Sequence, residues 1–424
     1  MSEPTLLQRR YRVLGDQSPL FYDEPLEFVR GEGVWLHDRE GRRYLDAYNN
    51  VPCVGHCHPR VVAAMARQAA TLNIHTRYLS EIVVEYAERL TATFAAPLDG
   101  LMYTCTGSES NELALRMARH LSGHAGIIVS DYNYHGNTTT LAAVTTALPS
   151  SEPFSGHARA VTIPNLYHAE GPAEAVADRH VAQVAQAIDS LQRAGVGVAA
   201  MLIDTFFANE GIPTLPAGYL ERVARLVREA GGLLVVDEVQ SGFGRTGGHL
   251  WGHQAHGLVP DIVTLGKPMG NGFPLAGVVT RRDRIEDFGR ANLYFNTFGG
   301  SPVAAAVGLA VLDVIRDEGL QDSVQRVGAG LAAGLQRLAE RHAIIGDVRG
   351  RGLFYAVELV RDRATREPAG AEARQVANRM RDRGILISRI GAADNILKIR
   401  PPLVFDDSHA AHFIDTLDGV LAGL

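Results

Sequence analysis

GLLVVDE, residues 232–238, is four aliphatic residues followed by two carboxylates. Such a short apolar run, opened by glycine and closed by acid, reads as a strand buried on both faces. DIVTLG, 261–266, repeats the pattern and delivers Lys267, 30 residues beyond Asp237. Further candidates, LMYTC (101–105), GIIVS (126–130), VAAMLID (198–204) and LAGVVT (275–280), are separated in places by amphipathic segments such as NELALRMARHL and GYLERVARLVREA. Apolar strands alternating with helices predict an α/β fold, a mostly parallel sheet covered on both faces. That large domain is placed at 51–305.

From about Ser301 a long helix begins, and behind it the pattern changes to LFYAVEL, GILISR, ILKIRPPL and a closing helix from about Asp407. Residues 306–424 are expected to form a smaller α+β domain. Residues 1–50 carry a hairpin-like pair around Glu40 and Gly41 that suits packing on that smaller domain.

The 424 residues are 46% hydrophobic and 21% charged, with a net charge of -6 and the signs interspersed. No basic stripe argues for nucleic acid or an anionic membrane, so a small-molecule partner is expected. No apolar run approaches the ~18 residues of a membrane helix, and MSEPTLLQRRYRVLG lacks the apolar centre of a secretion signal. A cytoplasmic location is the expectation. Cys53, Cys57 and Cys105 are an odd set without a CxxC pair, which predicts reduced thiols. CVGHCHP crowds Cys53, His56, Cys57 and His58, yet no second ligand cluster completes a tetrahedral set, so no metal site is expected.

Lysine is nearly absent. Of 41 basic residues only Lys267 and Lys398 are lysines, which leaves 39 arginines. Arginine replaces lysine wherever only charge is needed, but it cannot lose its proton and attack carbon. Lys267 and Asp237 end neighbouring strand candidates, where ligands of open α/β sheets bind. An amine and a carboxylate there are what pyridoxal phosphate requires: one for the Schiff base, the other to keep the pyridine nitrogen protonated. Asp237 also reads as a strand-end cap. TCTGSESNELALRMAR adds a Gly-Ser turn running into a helix, a cradle suited to phosphate, although Ser108 taken alone reads as a helix N-cap. DYNYHGNT puts Tyr134 on a loop after another strand, where its ring could face a planar ligand.

LLVVDEVQSGFGRTG followed by PDIVTLGKPMGNGFPLAGV resembles the signature of the class III, omega-type aminotransferases, pyridoxal-phosphate enzymes of fold type I. The resemblance runs from about GVWLHDREGRRYLDA to LKIRPPLVF. It implies Lys267 as the Schiff-base lysine, Asp237 on the pyridine nitrogen and Gln240 near the ring hydroxyl. Val239 and Tyr134 would flank the ring, with His135 beside them. Gly107 and Ser108 would hold the phosphate. Thr297, in YFNTFGGSP, would reach in from a partner subunit, making the working unit a homodimer.

The implied activity is amino transfer in two half-reactions, from an amine or amino acid to a keto acid or aldehyde. AYNNVPCVGHCHP and NILKIRPP look especially like the branch that holds phospholyases acting on ethanolamine phosphate or phosphohydroxylysine, so elimination of phosphate is the alternative. Arg389 stands where many amine transaminases have a mobile, carboxylate-binding arginine, and it favours transfer. Lys398 stands where such enzymes often carry arginine and the phospholyases carry lysine, although it also reads as an ordinary strand-edge cation. Tyr48 and Phe207 complete the candidate substrate residues. IDTFFANEGI departs from the family pattern at Phe206, Phe207 and Glu210, and its phenylalanine pair suits either an apolar amine or the core.

Overall fold

The computed structural model describes residues 4–424; residues 1–3, the start of the segment 1–50, lie outside the description. Three strands, β1 (Phe28–Glu32), β2 (Trp35–Asp38) and β3 (Arg43–Asp46), make an antiparallel meander whose second turn is the expected hairpin around Glu40 and Gly41. Seven strands then build the main sheet: β4 (Gly100–Thr104), β5 (Gly126–Ser130), β6 (Ala158–Val161), β7 (Val198–Ile203), β8 (Leu233–Asp237), β9 (Ile262–Leu265) and β10 (Ala276–Thr280). Their order is β4-β10-β9-β8-β7-β5-β6, and only β10 runs against its neighbours.

Every residue of β7, β8 and β9 is buried, which is why these strands read as unbroken aliphatic runs. The exception is β6, sequence ARAV, an edge strand with a polar residue in four and no apolar run to announce it.

The last strands are β11 (Ile345–Arg351), β12 (Phe354–Asp362), β13 (Glu367–Pro368), β14 (Ile385–Leu386), β15 (Ser388–Ile390) and β16 (Ile396–Ile399). GILISR, one strand by sequence, divides at Ile387: β14 pairs in parallel with β3, and β15 pairs antiparallel with β16. One short segment thus joins the N-terminal meander to the C-terminal sheet. The helix Pro302–Asp317 starts on a Ser301 cap with proline in its first turn and is buried nearly all round. Its cluster continues through the helix Leu320–Arg341 into β12 and β16, so one core runs from the main sheet to the chain end.

Close approach fixes that junction. A Cβ on Gly328, in the helix Leu320–Arg341, would lie 2.2 Å from the Gly352 carbonyl oxygen at the β11–β12 turn. The obstacle is backbone, which cannot swing aside as a side chain can. Gly328→Ala is therefore expected to lower the urea midpoint and, with it, the unfolding free energy by at least the roughly 1–3 kcal/mol of ordinary overpacking, despite alanine's higher helix propensity. A midpoint that rises would show that this contact is not tight.

Candidate active site

The carboxyl ends of β8, β9, β4 and β5 meet around a cavity of about 240 Å³, lined by Gly107, Ser108, Tyr134, His135, Asp237, Val239, Gln240 and Lys267. These eight are residues that the sequence assigned to one coenzyme. Asp237 is buried, and its Oδ1 accepts the Val239 backbone N–H at 2.9 Å. Oδ2 accepts the Asn111 amide at 2.9 Å and pairs with His135 Nδ1 at 2.8 Å. Burial works to raise its pKa, but His135, Val239 and Asn111 together hold it below the ordinary aspartate range. Asp237 is therefore no simple strand-end cap.

Asn111 carries much of this arrangement. Its Nδ2 also donates to the His135 carbonyl at 2.7 Å, and its Oδ1 accepts the Thr264 hydroxyl of β9 at 2.6 Å. One amide thereby ties the helix Gly107–Ser122 to β9, Asp237 and the His135 loop. Sequence reasoning missed it, because an asparagine one turn into an amphipathic helix carries no local signal.

Lys267 follows β9 at φ 31°, in the left-handed region that non-glycine residues rarely adopt and that clusters at working sites. Its side chain borders the open cavity, so water reaches it, while protein encloses it elsewhere. That enclosure lowers its pKa to about 8, helped by the charge of Arg400 and opposed by Asp237 and Asp204. A neutral amine is therefore accessible near neutral pH.

The helix Gly107–Ser122 is capped by Thr106, whose hydroxyl accepts the Glu109 N–H at 3.1 Å while Glu109 reaches back to the Thr106 N–H at 2.9 Å. Ser108 is thus not the cap. It sits in the first turn, lining the cavity, where helix-start amides favour a phosphate. His135 Nε2 is buried and has no hydrogen-bond partner. An amine, an ionised acid, a helix-start turn and a ring-sized gap beside Tyr134 and Val239 fit pyridoxal phosphate.

A second cavity, about 410 Å³, adjoins this one at Tyr134 and is lined by Tyr48, Tyr132, Asn209, Arg389, Asp394 and Lys398 among others. Tyr48 and Arg389 are thus brought to the expected place, with Arg389 paired to Asp394. Lys398 is no strand-edge cation: it is 3% exposed and donates to Gln240 Oε1 at 2.9 Å and to the Ala208 carbonyl at 3.1 Å. Burial, then Arg400, pushes its pKa well below the ordinary lysine value. Arg400 is buried too, donating to the same Gln240 oxygen and to the Tyr48 carbonyl. Two donors on Oε1 leave the Gln240 amide N–H groups to face elsewhere, and Gln240 lines the coenzyme cavity. One of 39 arginines gave no warning of this role.

Phe207 corrects an expectation. It is fully buried in the core with Ile163, Tyr219 and Val223 and lines neither cavity, because φ 49° turns its side chain into the sheet-covering layer. Phe206 packs over Phe354 at 6.1 Å and lines neither cavity. Thr297 lies exposed on its loop and lines neither cavity of its own chain. Cys53, His56 and His58 disperse to the Pro268 carbonyl, Asp46 and Glu318, and Cys57 lies exposed. Among the described residues, no group of three or more His, Cys, Asp or Glu could hold a metal ion.

The sequence profile named Aminotransferase class-III matches residues 21–421. An alanine–glyoxylate aminotransferase 2-like protein of Drosophila melanogaster is 38% identical over 98% of this chain and 86% of its own. A Caenorhabditis elegans ethanolamine-phosphate phospho-lyase homolog is 37% identical over 99% of this chain and 94% of its own. Among solved structures, a phospholyase from Arthrobacter in complex with phosphoethanolamine superposes with TM-score 0.97 at 49% identity, over 99% of this chain and 100% of that one.

Two outcomes follow from the site. Lys267→Arg keeps the charge but not a removable proton, so turnover should fall on the order of 10²–10⁴-fold from lost proton transfer alone, with coenzyme still retained on dialysis. Undiminished turnover would remove Lys267 from its role. Glu210 is enclosed, and burial lifts its pKa to about 7, with the Ser130 hydroxyl opposing. A folded value above the unfolded one means a contribution fully present below the unfolded pKa and lost as pH rises through about 7. Glu210→Gln should thus match the wild type near pH 4 and become more stable by pH 8, with a slope of at most about 1.4 kcal/mol per pH unit between. A pH-independent difference in melting temperature would contradict this.

Proposed function

The chain belongs to the class-III aminotransferase family of pyridoxal-phosphate enzymes, and from that premise we propose that it eliminates phosphate from a phosphorylated amino alcohol of the ethanolamine phosphate kind. The observation that carries the proposal is the buried cation pair Lys398 and Arg400, which has no carboxylate partner among the described residues and opens through Lys398 on the substrate cavity. A dianionic phosphate supplies the charge that this pair lacks. The likeness to the Arthrobacter phospholyase supports the same reading.

When bound, pyridoxal phosphate acts as an electron sink that acidifies the hydrogen on the amine-bearing carbon. Gly107 and Ser108 would hold its phosphate, and Asp237, kept ionised by His135 and Asn111, would face its ring nitrogen. Lys267 is the group placed to take the proton from that carbon, its pKa of about 8 suiting both uptake and release. Lys398 and Arg400 stabilise the phosphate as the neighbouring carbon–oxygen bond breaks. Overall, a phosphorylated amino alcohol and water become an oxo compound, ammonia and inorganic phosphate. Thr297 is proposed to complete the phosphate site of a second copy in a homodimer.

Amino transfer, which Arg389 favours, is the second reading, since that arginine lines the same cavity. Its charge is already met by Asp394. The test mixes the holoenzyme separately with O-phosphoethanolamine, L-alanine and an arylalkyl amine, following coenzyme absorbance and released phosphate. Phosphate released from O-phosphoethanolamine with the visible absorbance retained is the expected result. Lasting bleaching by L-alanine or the amine, reversed by a keto acid, would establish transfer instead. Lys398→Met should raise KM for O-phosphoethanolamine at least about tenfold, or 1.4 kcal/mol. An unchanged KM would take Lys398 out of phosphate recognition.

A further inference from the structure

A cavity of about 490 Å³ lies between the meander and the last helix. It is lined by Trp35, Arg42, Arg43, Arg383, Gly384, Ser408, His409 and His412, with no acidic residue in its wall. Its volume falls within the roughly 300–1,000 Å³ typical of small-molecule sites. None of the three arginines is neutralised, and two lie against aromatic rings. The Arg43 guanidinium lies 4.4 Å from the Trp35 ring centre. Arg42 lies 5.0 Å from the Tyr44 ring centre and donates to the Asp382 carbonyl. Arg383 crosses Gly419 so closely that a Cβ there would stand 2.7 Å from its Nη1.

The surrounding acids are partnered by groups other than the three arginines. Asp382 pairs with Arg381 at 2.6 Å, and Asp407 pairs with Arg326. Asp406 caps the helix Asp407–Leu421 and pairs with His409 at 2.8 Å. Asp38 accepts the Arg42 backbone N–H at 2.8 Å and the Tyr44 hydroxyl at 3.2 Å. No carboxylate lies within ion-pair distance of Arg42, Arg43 or Arg383 among the described residues. In a chain of net charge -6, three guanidinium groups without an ion-pair partner around one concavity form an anion-selective feature.

We propose that this cavity is a second ligand site, separate from the coenzyme cavity, that takes a phosphorylated small molecule. Guanidinium forks give paired hydrogen bonds to phosphate oxygens, and His412 supplies a further polar partner at the rim, the Ser408 hydroxyl and His409 Nδ1 being held by Asp406. The inference uses no residue of the coenzyme or substrate cavities and does not depend on which reaction the enzyme runs.

The chain has only two tryptophans, and the other, Trp251, is fully buried against Phe94 at 4.2 Å, so Trp35 reports on this cavity. The holoenzyme, its coenzyme site filled, is titrated with inorganic pyrophosphate at fixed ionic strength while tryptophan fluorescence is followed. A saturable change, absent with added chloride and lost in Trp35→Phe, is expected. In Arg43→Ala/Arg383→Ala the midpoint should move at least about tenfold to higher concentration, while coenzyme absorbance stays unchanged. Arg383→Lys, which keeps a charge, should shift less than Arg383→Ala. No saturable change, a signal that survives in Trp35→Phe, or an unmoved midpoint in the double variant would each overturn the proposal.

Discussion

An ionised carboxylate buried at the end of a central strand is the constraint on which this site depends. Isolated, such a charge would cost many kcal/mol and would be relieved by taking up a proton. Asp237 avoids this because three donors from three different elements converge on it: the Val239 backbone, the Asn111 amide and the His135 ring. Each donor is placed by a strand or helix of the main sheet. The sheet order is therefore also the condition for the charge, since β9, β8 and the helix after β4 must be neighbours for Asn111 to reach both Asp237 and Thr264.

A cationic group opposes that anion. Lys398 and Arg400 are buried and Lys267 borders the open cavity; enclosure by protein first, and the charge of Arg400 second, lowers the pKa of each lysine. Arginine keeps its proton where lysine gives it up, so the division of labour follows from chemistry: Arg400 is the permanent charge and Lys267 the exchangeable one. Gln240 joins the two sides, with its carbonyl on the cations and its residue in the wall of the coenzyme cavity. Asp204 and Glu210, whose pKa values burial raises to about 6 and about 7, make this region's charge state responsive to pH near neutrality.

Family signature and precise chemistry separate at this point. The residues lining the coenzyme cavity sit at strand ends, at a helix start and on the loop after β5. Substrate residues come from β15, β16 and the loops after β3 and β7, elements that only meet because GILISR divides between two sheets at Ile387. Small changes there redirect a side chain, as Phe207 does by turning into the core.

The sequence by itself determined six of the seven main-sheet strands and the helix Pro302–Asp317, because buried strands must be aliphatic, and it singled out Lys267 among arginines; Val239, Gln240 and His135 at the coenzyme cavity came only with the family resemblance. It did not reveal β6 or β11, which are too polar or too rich in glycine to show an apolar run and owe their pairing to neighbours. Nor did it reveal Asn111, Arg400 or the burial of Lys398. A hydrogen bond across 126 residues, as between Asn111 and Asp237, leaves no periodic trace. Burial of a cation is likewise a property of what packs around it. Those features were decided by tertiary structure, where the partners that make a buried charge tolerable come from distant parts of the chain.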